Sequence, residues 1–227
     1  MTKPKVAVDI WSDVMCPWCA VGYSQFAKSV KSLADELDVE VRWMPFELNP
    51  DLPAEGRLQD QHLAEVYGRS AEEVAAMRAQ MQATAERAGF PMAYAGEGEP
   101  PPPMMWNTFE AHKLLRWALA ERGPEAQTAL KVALLKAHFQ QRRNISDRDV
   151  LLDVAEAAGF DRMQAGEALD DEALAIATRM EEQRGRQAGI NSVPSFVIGG
   201  KYLIQGAREP DDYANMLRQV ARLVQNA

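Results

Sequence analysis

The sequence predicts an α/β domain interrupted by a helical insertion, and three observations carry that reading. Strand-type alternation occurs near both ends of the chain. Helical spacing runs between about 58 and 189 with no convincing strand. Gly199-Gly200-Lys201 forms a hairpin signal between two apolar runs. The 227 residues are 47% hydrophobic and 26% charged, enough apolar surface for a sizeable core and too much for a disordered chain.

The elements follow in order. Residues 5–11 alternate, with Val6, Val8 and Ile10 on one side and Ala7, Asp9 and Trp11 on the other, which suits a central strand. Residues 16–37 carry Val21, Phe26, Val30, Leu33 and Leu37 at helical spacing. Val39, Val41 and Trp43 then alternate as a second strand that Pro45 ends. A strand, a helix and a strand in so short a stretch form a βαβ unit with parallel pairing. Ser70-x-x-Glu73 is a capping box for a helix that Gly89 closes, and residues 96–103 (GEGEPPPP) form an irregular loop. Asn107 is the expected N-cap of a helix bearing Phe109, Leu114, Leu115 and Ala118. Pro124 takes a first-turn position before the stripe Leu130, Leu134, Leu135 and Phe139. Ser146 with Asp149 starts a further helix that Gly159 stops, and a helix over about 171–187 turns Leu174, Ile176 and Met180 inward. Strands over Ser195–Ile198 and Tyr202–Gln205 flank the hairpin. A helix from Pro210 then sets Tyr213, Met216, Leu217, Val220 and Val224 on one face. The domain boundaries read from this are 1–57 with 190–227 for the α/β domain and 58–189 for the helical insertion.

Lys and Arg number 25 against 33 Asp and Glu, a formal charge of −8, and an acidic surface repels phosphate backbones. Nucleic acid is therefore not an expected partner. No window approaches the roughly 18 apolar residues of a membrane helix, and the N-terminal segment lacks the apolar core of a secretory signal. The expected compartment is the cytoplasm, with no membrane partner. Two cysteines exclude a disulfide-stapled scaffold and any four-thiolate metal centre.

Both cysteines fall in Cys16-Pro17-Trp18-Cys19. Cys16 follows a strand and opens a helix, where unpaired N–H groups and the helix dipole stabilise a thiolate. Its pKa is accordingly expected below the free value of about 8.5. Cys19, one turn on, is more buried and within disulfide reach. The arrangement suits exchange chemistry in which Cys16 attacks and Cys19 resolves. Two other uses stay open. A zinc half-site needs two more ligands, and His62, His112 and His138 show no paired spacing; two inert core cysteines need only burial.

Cys16-Pro17-Trp18-Cys19 after a strand, a helical insertion, and Val193-Pro194-Ser195-Phe196 before a hairpin resemble the DsbA-type branch of the thioredoxin superfamily. Residues 12–19 (SDVMCPWC), 107–114 (NTFEAHKL) and 192–200 (SVPSFVIGG) are similar to its cytoplasmic FrnE-like group. That group is related to 2-hydroxychromene-2-carboxylate isomerases and kappa-class glutathione transferases. The resemblance implies a thioredoxin-like fold with an inserted helical subdomain and thiol–disulfide oxidoreductase activity. Cys16 and Cys19 are then the catalytic pair, and Pro194 is the family's cis-proline. The Val193 backbone pairs with substrate chain, and Pro17 and Trp18 border the substrate surface. Asp9 is similar to the buried aspartate that assists proton transfer in thioredoxins, one residue further from the motif. No metal or bound organic cofactor is implied. The redox partner is glutathione or another thiol, and the substrate a protein or small-molecule disulfide. Oligomeric state is not assigned.

Two departures bear on the family's alternatives. The isomerase and transferase relatives carry serine where this chain has Cys16, and secreted DsbA oxidants carry histidine where it has Trp18. The rival readings are a glutathione-dependent isomerase or transferase of a small aromatic substrate, and a non-catalytic chaperone-like binding module. Trp11, Trp43 and Met104-Met105-Trp106 supply either groove surface or core. Asp13, His112 and Asn107 read first as capping or packed residues.

Overall fold

The computed structural model describes residues 3–53 and 55–225. Its order is β1 (Lys5–Ser12), α1 (Pro17–Ser32), β2 (Asp38–Pro45), β3 (Arg57–Leu58), α2 (Gln59–Tyr67), α3 (Ala71–Ala88) and β4 (Met104–Met105). There follow α4 (Phe109–Phe139), α5 (Arg148–Ala157), α6 (Arg162–Asp170), α7 (Glu172–Gln187), β5 (Ser195–Ile198), β6 (Tyr202–Gln205) and α8 (Pro210–Gln225).

The main sheet has strand order β2-β1-β5-β6. β1 pairs in parallel with β2, Lys5 opposite Asp38 through Ser12 opposite Pro45, and antiparallel with β5, Val8 opposite Ile198 through Trp11 opposite Ser195. The alternation of β1 decides what each face meets. Val6, Val8 and Ile10 are at most 2% exposed and pack against Phe26 of α1, Leu33 at its C-cap, and Tyr213 and Leu217 of α8. Phe26, Phe196 and Tyr213 meet with ring centroids 4.9 to 5.3 Å apart. Burying each such side chain is worth roughly 1.5–3 kcal/mol, so this aromatic trio anchors both helices to the sheet. On the opposite face Trp11 packs with Phe46 and Ile190, and it lies so close to Gly185 of α7 that only a glycine fits there.

A second core lies among the helices, where Leu114, Leu130, Leu134, Ile145, Leu151 and Phe160 are buried together. Val14 and Met15, from the loop after β1, belong to this core. The segment leading into Cys16 is therefore gripped by the helical region.

Local signals explain the helix ends. Ser70 and Glu73 form the reciprocal capping box at α3, and Gly89 closes that helix in the left-handed conformation. Gly123, at φ 81° and ψ −176°, breaks α4 so that Pro124 opens its second half. Gly199 and Gly200 both take positive φ, as the tight turn between β5 and β6 requires.

Several sequence expectations shift. The region from 58 to 189 holds short β-structure after all: β3 and β4 pair antiparallel, Arg57 opposite Met105 and Leu58 opposite Met104. Two-residue strands are too short for periodicity to register. Thr108, not Asn107, is the N-cap of α4; the Asn107 side chain instead accepts from Phe109 N–H and donates to the Pro50 carbonyl. Asp147 rather than Ser146 caps α5, accepting from Val150 N–H. Ile176 and Met180, expected inward, are 57% and 49% exposed. The buried stripe of α7 is Thr178, Glu182 and Gly185, because that helix meets the loop after β2 and the Trp11 ring with small and polar residues. Val224 of α8 is likewise exposed.

Candidate active site

The strand β1 ends at a buried polar step, Ser12 and Asp13, both 0% exposed. Cys16 then stands as N-cap of α1 with Pro17 in the first turn. Both thiols are reduced and buried, Cys16 at 4% and Cys19 at 1% exposure. The Cys16 thiol lies 3.8 Å from the Val193 carbonyl oxygen. The Val193–Pro194 peptide is cis. Pro194 rests above Gly22 of α1, and its carbonyl accepts from Gly206 N–H at 2.8 Å. A βαβ unit and a hairpin thus deliver the two halves of the site from opposite ends of the chain.

Cys16 opens onto a cavity of about 440 Å³. Pro17, Trp18 and Val193 line it, and so do Met104, Met105 and Trp106, of which Met105 is also buried in the helical core with Trp106 packed against it. Trp11 and Trp43 are core residues. Trp18 is 47% exposed and also borders a second, more polar cavity towards Arg87 and Arg208. Cys19 lines neither. His62 and His138 face the cavity beside Cys16 with Nδ1 unpartnered in each, and burial holds His138 down to about 4, so its ring is neutral at pH 7.

The electrostatics correct one expectation. Cys16 is raised, not lowered: its hydrogen bond with Cys19, burial and the charge of Cys19 push it up, and only the Cys19 N–H works the other way. That N–H already donates to the Cys16 carbonyl at 3.1 Å, and the Cys16 side chain makes no capping hydrogen bond. The helix end therefore stabilises a Cys16 thiolate less than its position promised. Cys19 is lowered: burial opposes its charge, but the Cys16 thiol, Lys131, Ser12 and the Asp13 backbone outweigh it.

Asp9 lies away from this chemistry. Its carboxylate pairs with Arg42 at 2.7 Å, next door in the β1–β2 register, and it acts on neither thiol. The buried carboxylate at the site is Asp13. It accepts from Leu48 N–H at 2.8 Å and Met15 N–H at 3.4 Å, with His112 Nε2 3.6 Å away. Burial opposes its charge, yet His112, the Leu48 N–H and Lys131 hold it below the usual carboxylate range. Behind it, Glu47 and Glu182 share Arg179, and Glu47 is raised to about 7 by burial and by Glu182.

Sequence reasoning passed over Lys131. It is 0% exposed, and its amine has no hydrogen-bond partner. The available signal was the polar set Gln127, Lys131 and His138 on the apolar stripe of Leu130, Leu134 and Leu135, all buried in α4. Among the described residues, no group of three or more His, Cys, Asp or Glu side chains is placed to hold a metal ion, and no helix is long and apolar enough to cross a membrane.

A mixed sheet ending in a paired-cysteine helix, faced by a cis-proline loop and joined by a helical layer, defines a thioredoxin-like fold of the DsbA type. A model of the DSBA-like thioredoxin domain matches residues 7–218, and the chain belongs to that family. It is 30% identical over 208 residues to the uncharacterized protein YwbO of Bacillus subtilis, covering 91% of this chain and 92% of that one. Its fold is similar to the crystal structure of the probable DsbA oxidoreductase SCO1869 from Streptomyces coelicolor, at TM-score 0.83 and 30% identity, covering 94% and 89% of the two chains. The cytosolic disulfide reductase DsbM from Pseudomonas aeruginosa, in a structure with GSH, shares the fold at TM-score 0.61 and 18% identity over 95% of this chain and 99% of that one.

Proposed function

We propose that the protein is a thiol–disulfide oxidoreductase that works by dithiol–disulfide exchange through Cys16-Pro17-Trp18-Cys19. One observation carries the reading: Cys16 lines the 440 Å³ cavity beside the Val193 backbone, and Cys19 does not. The Cys16 thiolate attacks one sulfur of a substrate disulfide, and the other leaves as a thiolate. Cys19 then attacks the Cys16 sulfur, releases the second substrate thiolate and closes the Cys16–Cys19 disulfide, so two electrons pass to the substrate. Access selects Cys16 as the nucleophile although titration favours charge on Cys19. The attacking species is the microstate in which the shared proton sits on Cys19.

Pro17, Trp18 and Val193 form the substrate surface, with Pro194 buried behind Val193, and Met104, Met105 and Trp106 make its apolar wall. Residues 1–57 and 190–227 make the thioredoxin-like domain, and 58–189 the inserted helical subdomain. Asp13, rather than Asp9, is the carboxylate that tunes the pair. Glutathione or another cytoplasmic thiol is the redox partner, a reading supported by the GSH in the DsbM structure. Insulin disulfide reduction with a thiol donor tests the assignment. Activity in the wild type and none in Cys16→Ser is expected; full activity in Cys16→Ser removes Cys16 from its role.

The largely apolar cavity, with His62 and the neutral His138 on its wall, favours one second reading, a glutathione-dependent isomerase or transferase acting on a small aromatic molecule. Tight glutathione binding without a redox-active cysteine pair selects that reading over exchange.

A further inference from the structure

The cavity beside Cys16 has a charge bias opposite to that of the whole chain. Its lining includes no Asp or Glu, although the chain carries 33 of them against 25 Lys and Arg. Arg78 and Arg142 line it, and burial holds His62 and His138 towards their neutral forms. We propose that the cavity takes a small disulfide with an apolar body and a carboxylate end, and that Arg142 is the specificity-determining residue that binds the carboxylate. The inference rests on the exchange reading above and names its substrate class.

The two arginines differ in what they already hold. Arg78 is spent on Asp60 at 2.6 Å, whereas Arg142 has no ion-pair partner among the described residues. The Arg142 guanidinium donates to the Pro101 carbonyl and stands 5.8 Å from the centroid of the Tyr94 ring. Those contacts fix the group and leave most of its donors unused, and a guanidinium fork meets a carboxylate with two parallel hydrogen bonds. Holding the group in place beforehand lowers the entropic cost of binding.

The backbone supplies a second observation. Among the described residues Arg142 is the one non-glycine with positive φ, at 51°. Glycine takes that conformation without penalty, and a side chain takes it at a steric cost. The helix end does not call for this cation, since α4 finishes at Phe139 with Lys136 already in its last turn. Local geometry asks for a glycine here, and the arginine adds an unpaired charge at the cavity wall.

The rest of the wall suits the body of such a molecule. Met15, Met77, Met81, Met92, Met104 and Met105 line it, and thioethers adapt to aliphatic chains and lie well against aromatic ring edges. A volume of about 440 Å³ falls within the roughly 300–1,000 Å³ of small-molecule sites. Cys16 lines the same cavity as Arg142, so one molecule can offer its disulfide to the thiol and its carboxylate to the guanidinium. The Cys16 thiolate bonds to the near sulfur, and the electron pair of the S–S bond leaves with the far one as a thiolate. Cys19, its proton lost to water, then bonds to the Cys16 sulfur and releases the near sulfur as the second thiolate. Two electrons pass from the protein dithiol to the disulfide.

Arg142→Gln tests this, since glutamine keeps a donor for the Pro101 carbonyl and loses the charge; far-UV circular dichroism verifies folding. The reduced protein is mixed with dithiobis-nitrobenzoate, an aromatic disulfide bearing two carboxylates, and separately with uncharged dithiodipyridine. Absorbance of the released thiols gives a rate constant for each. The ratio of the two, anionic over uncharged, is expected to fall about tenfold in the variant. A folded variant with the wild-type ratio overturns the proposal. If the variant does not fold, protection of wild-type Cys16 from iodoacetamide decides. Naphthoate slowing the alkylation where naphthamide does not supports the proposal; equal protection by both, or by neither, overturns it. A wild type that reacts with neither disulfide removes the exchange reading, while the naphthoate comparison still judges the carboxylate site.

Discussion

Gln127 closes the open edge of the sheet. β2 is an edge strand, and its outer side at Trp43 meets α4 instead of another strand. The Gln127 side chain accepts from Trp43 N–H at 2.8 Å and donates to the Trp43 carbonyl at 2.9 Å and the Leu115 carbonyl at 3.2 Å. One amide therefore imitates a strand neighbour and bridges the two halves of α4 across the Gly123 break. Replacing it by leucine keeps the volume and strips two buried backbone groups of Trp43 of their partner, at about 1–3 kcal/mol each. The Leu115 carbonyl belongs to the helix ladder and adds little. Gln127→Leu is expected to lower stability by about 4 kcal/mol. With a urea m-value of about 2–3 kcal/mol/M for a chain of this size, the midpoint falls by roughly 1.3–2 M. Equilibrium urea unfolding followed by Trp fluorescence and circular dichroism reads this directly. A loss under 1 kcal/mol at unchanged m refutes the reasoning, because Trp43 then has another way to satisfy its backbone.

Alkylation of the reduced protein near neutral pH should label Cys16 well ahead of Cys19, because only Cys16 lines the cavity; mass spectrometry giving equal rates contradicts the division of roles. Cys19→Ser should accumulate a mixed disulfide with a small disulfide, seen as an intact mass increase, since nothing resolves it. Glu47 is held at about 7 against an ordinary 4.5, so the folded state binds the extra proton between those values and stability falls as pH rises through that window. Glu47→Gln should flatten this part of the stability–pH profile, and an unchanged slope by urea unfolding at pH 5 and 7 counts against it. Gly22→Ala places a Cβ 2.9 Å from Pro194 Cγ. A gain in helix propensity of about 1 kcal/mol offsets part of the crowding. Stability by thermal melting should therefore change little while the exchange rate falls; a rate equal to wild type shows that the Pro194 loop yields without consequence.

Much of the fold was legible because its elements obey local rules. The alternation of Val6, Val8 and Ile10, the Ser70–Glu73 box, the Gly123–Pro124 break and the Gly199–Gly200 turn each act within a few residues, and the chain folds there as those residues dictate. The cysteine tetrapeptide and the Val193–Pro194 segment were also readable, since both are contiguous in sequence. What joins them was not. Asp9 lies midway along β1 and Asp13 directly after it. Only the register beside Arg42 and the packing of His112 and Lys131 decide which of them is buried with the thiols. The pKa order of Cys16 and Cys19 reverses the helix-end expectation for the same reason. Cys16 is raised first by its hydrogen bond with Cys19 and then by burial. Cys19 is lowered by that same bond and by Lys131, which α4 brings from more than a hundred residues away. Helix-end position alone encodes neither the burial nor that distance. Sequence determines which elements form and which residues are able to react; the tertiary structure alone decides which charges share a low-dielectric interior, because that follows from burial and proximity.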